Sequence, residues 1–299
     1  MDNVTIGKAW ITGATGMIGR ELVKKLDSNV IVASRDPKKA EKELGVNAFH
    51  WDGRNPVGAR HLEGVTHVFH LAGEPVAGGR WTDEKKKQIE ESRVQGTRAV
   101  VQSLEGHPEI TLLSSSAVGF YGSRGDEILD EDSAVGHGFL ADVCREWEAE
   151  ALKHTGRVVC IRTGVVLGKE GGALAKMLPL FKTGLAGRIG DGRQWMPWIH
   201  VDDIVGLYLH AAMNADVRGA LNGVAPEPVT NSTFTADLGH ALHRPTLIPA
   251  PAFAVKLALG EMASVVLASQ RVLPKKAETT GYAFHFRSLP GALAELVAS

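Results

Sequence analysis

Thr12-Gly13-Ala14-Thr15-Gly16-Met17-Ile18-Gly19 decides the fold. The run follows a short apolar segment, 9–12, that reads as a β-strand, and it opens a helical pattern over 17–26. In that setting each glycine has its own task. Gly13 permits a tight turn, Gly16 leaves the backbone open to a pyrophosphate, and Gly19 lets the helix pack closely on the strand. The N–H groups and dipole of the helix start then face the phosphates, with Thr15, Met17 and Ile18 on the same turn. A glycine triplet also closes ordinary strands, so the weight lies in strand, triplet and helix occurring together.

Outward from this turn the chain alternates. Strand-like runs at 30–34, 48–51, 67–72, 110–115 and 158–162 are separated by helical patterns at 37–44, 82–104 and 139–154. Such alternation predicts βαβ units, a doubly wound parallel sheet of the Rossmann type, and a ligand crevice at the carboxyl ends of its strands. Beyond Gly164 helices dominate, at 172–182, 203–212, 231–241, 251–268 and 289–297, with short strands expected at 220–224 and 246–248. This describes a smaller, mostly helical C-terminal lobe interleaved with the sheet. The Pro-containing stretch 225–229 is the expected turn between the two.

The strand ends suggest which dinucleotide is held. The second strand ends Ala33-Ser34-Arg35-Asp36, with Lys38 and Lys39 close behind. A guanidinium here can pair with a 2′-phosphate, whereas an acidic residue at this end would hold the ribose hydroxyls of NAD. Asp36 lies one position late for that task, so the expected cofactor is NADP. Asp52 ends the third strand, where a carboxylate could accept from the adenine amino group; the alternative is a turn residue in Asp52-Gly53. Leu71, Ala72 and Gly73 end the fourth strand with residues small enough for backbone to lie along the cofactor.

Composition narrows the partners. With 33 basic and 34 acidic residues the net charge is -1, so the chain carries no general attraction for nucleic acid or an anionic membrane. The run Lys85-Lys86-Lys87 among Asp83, Glu84, Glu90 and Glu91 reads as a solvated helix face. Two cysteines, Cys144 and Cys160, form no CxxC pair, and the early first strand leaves no room for a leader, so a soluble cytoplasmic protein is expected. The histidine pairs His67/His70 and His240/His243 lack a third converging ligand, so no metal is expected. Oligomeric state is not legible.

The chain resembles the extended short-chain dehydrogenase/reductases in Thr12–Gly19, His70–Gly73, Ser114-Ser115-Ser116 with Tyr121-Gly122, and His200-Val201-Asp202-Asp203. More narrowly it resembles the atypical "epimerase family protein" group, which includes the YfcH-like bacterial proteins and member 1 of human short-chain dehydrogenase/reductase family 39U. Leu71-Ala72-Gly73-Glu74, Arg80-Trp81, Ser92-Arg93, Trp147-Glu148, Arg162–Gly168 and Pro197-Trp198-Ile199-His200 carry that match, which spans essentially the whole chain. The resemblance implies NADP held by the glycine turn, Ser34, Arg35, Leu71, Ala72 and Arg93. The change of rhythm after Gly164 predicts a nucleotide-binding domain over 1–164, with sheet contributions from about 165–225, and a substrate-side lobe over 165–243; the resemblance adds a small domain of unknown function over 244–299. It supplies no settled substrate.

Ordinary members of the superfamily use a Ser, a Tyr and a Lys, the last two as Tyr-x-x-x-Lys on one helix face. Here Leu140 and Cys144 stand at the aligned positions, and none of Tyr121, Tyr208 and Tyr282 has a lysine four residues later. Ser116 matches the family serine, and Tyr121 follows the same strand; these are the catalytic candidates, with turn capping and loop packing as their alternatives. Glu74, Trp81, Trp198 and His200 are expected to border a substrate pocket. The alternative for His200 is internal satisfaction beside a helix capped by Asp202. Two functions fit: an NADP-dependent oxidoreductase or epimerase-like enzyme for a small carbonyl or hydroxyl compound, or a non-catalytic NADP-binding redox sensor or assembly factor.

Overall fold

The computed structural model describes residues 5–26 and 29–298; residues 1–4, 27–28 and 299 of the expected units lie outside it. Seven strands form the main sheet: β1 Lys8–Thr12, β2 Val30–Ser34, β3 Asn47–His50, β4 Val65–His70, β5 Thr111–Ala117, β6 Val158–Thr163 and β7 Gly219–Gly223. Their order is β7-β6-β5-β4-β1-β2-β3, and every neighbouring pair is parallel. The chain runs from β1 to one edge, then returns to place β4 on the other side of β1. That reversal opens a crevice at the carboxyl ends of β1 and β4.

Side chains alternate across each strand, so both sheet faces are apolar and each must be covered. Ala9, Ile11, Val30, Val32, Phe69, Leu113, Val159 and Ile161 join one core with Leu22 and Val23 of helix α1 (Met17–Lys25) and Ile204, Leu207 and Tyr208 of α6 (Val201–Met213). Their neighbours Trp10, Val68, Leu112, Val158 and Cys160 join the opposite core with Ala99 and Val100 of α3 (Asp83–Ser103), Leu104 at its end, and Ala151 of α4 (Phe139–Ala151). The doubly wound fold is thus the packing answer to strands that are apolar on both sides.

Helices α5 (Gly172–Lys182), α7 (Asn231–Leu242) and α11 (Leu289–Val297) enclose a third core around Trp198, Phe234 and Leu293. The buried carboxylate of Asp203 fastens the C-terminal segment to α6: it accepts the Tyr282 hydroxyl at 3.1 Å and the backbone N–H groups of His285 and Phe286 at 2.8 and 2.9 Å. Among the described residues no helix is long and apolar enough to cross a membrane.

Several expected elements differ. The strand expected at 246–248 is a loop, flanked by Pro245 and Pro249, which have no N–H to give a ladder. The helix expected over 251–268 is broken into α8 (Ala252–Leu259), a 3₁₀ turn (Gly260–Met262) and α9 (Ala263–Leu267), because Gly260 takes φ +61°. The strand expected to reach 72 ends at His70, where the next amides turn toward Thr12. The lysine run is only partly a solvated face: Lys85 pairs with Glu74, and Lys86 bonds Glu261 at 3.0 Å.

Candidate functional site

The glycine turn closes β1 and faces the end of β4. Gly13 has φ +69°, and a Cβ there would stand 2.7 Å from the Ala72 nitrogen, so both backbone conformation and packing exclude a side chain. A Cβ on Gly19 would meet Ala14 Cα and Gly13 O at 2.6 Å, which is the close helix–strand contact. Gly16 is different. Its φ of -74° suits any residue, and an added Cβ would touch only Gly13 O, at 3.2 Å. That contact is tight, yet the bar to a side chain is lower here than at Gly13 or Gly19, and the bare N-cap leaves room over the N-terminus of α1, whose start lacks a side-chain cap.

At the end of β2, Asp36 Oδ1 accepts the Lys39 N–H at 3.1 Å and caps helix α2 (Pro37–Leu44). Ser34 Oγ receives the Asp36 N–H at 3.1 Å. Arg35, between them, is exposed and its guanidinium has no partner among the described residues. Asp52 takes its turn role: Oδ1 accepts from Arg54 and Asn55 N–H at 2.8 and 2.9 Å, and these backbone bonds pull its pKa down to about 2. An adenine amino group would have to share an oxygen already engaged.

The β4 end is fixed by a buried relay that sequence reading missed. Thr12 Oγ1 accepts the N–H groups of Leu71 and Ala72, both at 3.2 Å, and lies 2.8 Å from His70 Nδ1. His70 Nε2 lies 3.0 Å from Thr97 Oγ1 on α3. Burial lowers the His70 pKa to about 4, so the ring is neutral. With its oxygen accepting two amides, Thr12 gives its proton to Nδ1, which leaves the hydrogen on Nε2 for Thr97. Beyond it, the Arg93 guanidinium stands 3.5 Å from the place of a Gly73 Cβ and donates to the carbonyls of Glu74 and Ile89 at 3.0 Å. It lies 5.2 Å from the Trp147 ring. Glu74, half-buried, pairs with Lys85.

At the β5 end the two catalytic candidates share one buried network. Ser116 Oγ donates to Glu148 Oε1 at 2.6 Å, and Arg162 grips Glu148 through Nε and Nη2, both at 2.8 Å. Arg162 Nη1 donates to the Tyr121 hydroxyl at 2.9 Å, and that hydroxyl donates to Asn222 Oδ1 at 2.7 Å. Tyr121 is 0% exposed, and burial pushes its pKa up to about 12. Both hydroxyls therefore have internal partners. Cys144 is buried at the aligned lysine position, with its pKa also raised by burial to about 12. Glu148 and Arg162 were legible only as family strings; a charged pair facing inward from an amphipathic helix and an apolar strand is the signal that could have found them.

Three of the expected pocket residues lie in cores instead. Trp81 packs with Ile89, Met262 and Phe139, its Nε1 donating to Val76 O at 3.0 Å. Trp198 is 1% exposed and bonds Glu227 O at 3.0 Å. His200 is 1% exposed; Nδ1 accepts the Asp202 N–H at 3.1 Å and Nε2 meets Glu295 at 3.2 Å. His200 itself, not Asp202, caps α6. Trp198 is buried in the lobe core, His200 stacks on Phe286, and Trp81 is buried between α3, α4 and Met262. Among the described residues no group of three His, Cys, Asp or Glu could hold a metal ion.

Residues 9–222 match the model of the NAD dependent epimerase/dehydratase family. The chain belongs to that family. Residues 250–296 match a domain of unknown function, DUF1731, so this family member carries a second segment after the nucleotide-binding unit. It is 43% identical over 299 residues to the chloroplastic epimerase family protein SDR39U1 homolog of Arabidopsis thaliana, covering 95% of this chain and 84% of that protein. It is 35% identical to human epimerase family protein SDR39U1, over 96% of this chain and 99% of that one. The crystal structure of human SDR39U1 isoform 2 with NADPH superposes with TM-score 0.87 at 32% identity, covering 97% and 98% of the two chains.

Proposed function

We propose that this family member binds NADP(H) and acts as an oxidoreductase or epimerase-like enzyme on a small carbonyl or hydroxyl compound. One observation carries the cofactor half: Asp36 is committed to a helix cap and Arg35 is free, beside a glycine turn whose Gly16 leaves room over the start of α1. These features fit a dinucleotide with a 2′-phosphate, and the NADPH bound to the human relative agrees. Gly13, Thr15, Gly16, Met17, Ile18 and Gly19 would hold the pyrophosphate, Ser34 and Arg35 the 2′-phosphate, and Leu71, Ala72, Gly73 and Arg93 the far side. When bound, the cofactor supplies a hydride; the protein positions it and excludes water.

Ser116 and Tyr121 are the proposed substrate-facing hydroxyls. For either to serve, it must exchange its bond to Glu148 or Asn222 for one to the substrate. That requirement favours a second reading, a non-catalytic NADP-binding sensor or assembly factor, in which the sealed network is simply structural. Incubating the protein with NADPH and a panel of aldehydes, ketones and sugar nucleotides separates the two. Turnover supports the enzyme; tight NADPH binding without turnover supports the sensor.

A further inference from the structure

Away from the glycine turn, the surface of the C-terminal lobe carries an open cleft of about 220 Å³ whose walls are three separate segments. Arg188 comes from the loop after α5, Ser232 and Thr235 from α7, and Thr246, Leu247 and Pro249 from the following loop.

The walls are held in register. Gly190 N–H donates to Ala250 O at 2.8 Å, and Ala250 N–H to Arg188 O at 2.9 Å. Ile189 N–H donates to Asn231 Oδ1 at 2.7 Å, and Ser232 N–H to Gly192 O at 2.9 Å. A glycine makes room at each junction. A Cβ on Gly192 would fall 2.0 Å from Ser232 Oγ and 3.0 Å from Arg188 Cδ; one on Gly239 would fall 2.5 Å from Thr246 Cγ2; one on Gly187 would fall 2.2 Å from Ile248 O. The Arg188 stem thus lies over Gly192 beside Ser232, against backbone that is tied on both sides.

The polar groups of this cleft have no internal use. The guanidinium of Arg188 forms no ion pair or hydrogen bond with a described residue, and neither do the hydroxyls of Ser232, Thr235 and Thr246. Thr235 is only 4% exposed and lines the cleft with an unpartnered hydroxyl, whereas Arg188 at the rim is exposed. No carboxylate lines the space.

We propose that this cleft is a binding site for a small phosphate monoester. A carboxylate can accept a guanidinium fork and a hydroxyl besides, as Glu148 does from Arg162 and Ser116, but it brings only two oxygens and one charge. A phosphate monoester presents three acceptor oxygens and close to two negative charges, matching a fork plus several hydroxyls. Leu247, 83% exposed, and Pro249 offer the carbon part apolar surface at the rim. Since a cavity of roughly 150 Å³ takes a benzene-sized molecule, this one has room for a phosphate on a short carbon skeleton.

The test is calorimetric titration of the full chain with inorganic phosphate, glycerol 3-phosphate, glycerol and lactate, with and without saturating NADPH. NADPH keeps phosphate from the glycine turn, and the NADPH-free arm keeps the result independent of the cofactor reading. Glycerol 3-phosphate should bind one-to-one with Kd below about 1 mM. It should bind more tightly than inorganic phosphate, and at least about tenfold more tightly than lactate or glycerol. Arg188→Met should weaken it by about 10–100-fold and Thr235→Val by roughly tenfold, while Thr235→Ser retains it. Unchanged melting temperatures check that the variants fold. Absence of saturable binding, binding indifferent to Arg188→Met, or equal binding of lactate would each overturn the proposal.

Discussion

The Thr12 hydroxyl and the His70 imidazole meet at 2.8 Å in a fully buried position, and through them the end of β1 holds the amides that follow β4. The folded ring keeps a pKa of about 4, against 6.5 unfolded. Between these values the unfolded chain binds the extra proton, so stability rises with pH across that window. The contribution is complete above pH 6.5 and lost as pH falls toward 4, roughly 3 kcal/mol in all. Urea unfolding at stepped pH should show this slope in the wild type and a slope reduced by about one proton in His70→Gln. An identical slope in both would show that His70 is not the titrating group.

Gly16 and Gly19 should part company on substitution. Gly16→Val should remain folded, with a smaller loss of melting temperature than Gly19→Val, yet lose NADPH binding, because beyond a 3.2 Å contact with Gly13 O its side chain fills the phosphate approach. Gly19→Val should lower the melting temperature itself, because its side chain would strike Ala14 Cα and Gly13 O at about 2.6 Å. Thermal melts paired with nucleotide fluorescence read both effects. Unaltered NADPH affinity in folded Gly16→Val removes the site.

Tyr121→Phe removes a hydroxyl shared by Arg162 and Asn222. Leaving buried groups unpaired should cost about 1–3 kcal/mol in urea unfolding without cofactor. With any substrate found, Ser116→Ala or Tyr121→Phe should also lower turnover by about 10²–10⁴-fold, whereas Cys144→Ala keeps most activity. A loss confined to Cys144→Ala would reverse the assignment.

Asp203→Asn should loosen the C-terminal segment, since an amide nitrogen cannot accept the N–H groups that both carboxylate oxygens now receive. Hydrogen exchange at His285 and Phe286 should quicken by about tenfold or more. Unchanged protection there would mean that packing of α11 alone holds the segment.

The sheet was legible because its strands are apolar on both faces and its first turn needs glycines of distinct kinds; Gly13 and Gly19 show those needs directly. The lobe was less legible. Trp198 and His200 read as a polar-aromatic rim, but whether such residues point to solvent or into a core depends on partners far along the chain, Glu227 and Glu295. The same holds for Ser116 and Tyr121, whose partners Glu148, Arg162 and Asn222 arrive from three other elements. Local pattern gave Gly260 no more weight than any other glycine, yet its positive φ divides a helix that periodicity joins.

At the end of β2, Asp36 caps a helix and Arg35 is free to meet a 2′-phosphate. Fluorescence titration of the wild type and Arg35→Ala with NADPH and NADH tests this pairing directly. The wild type should prefer NADPH, and Arg35→Ala should lose about 1.5–3 kcal/mol of NADPH binding through its missing charge-assisted pair while NADH is scarcely affected. Equal losses for the two nucleotides, or a wild type that prefers NADH, would contradict it.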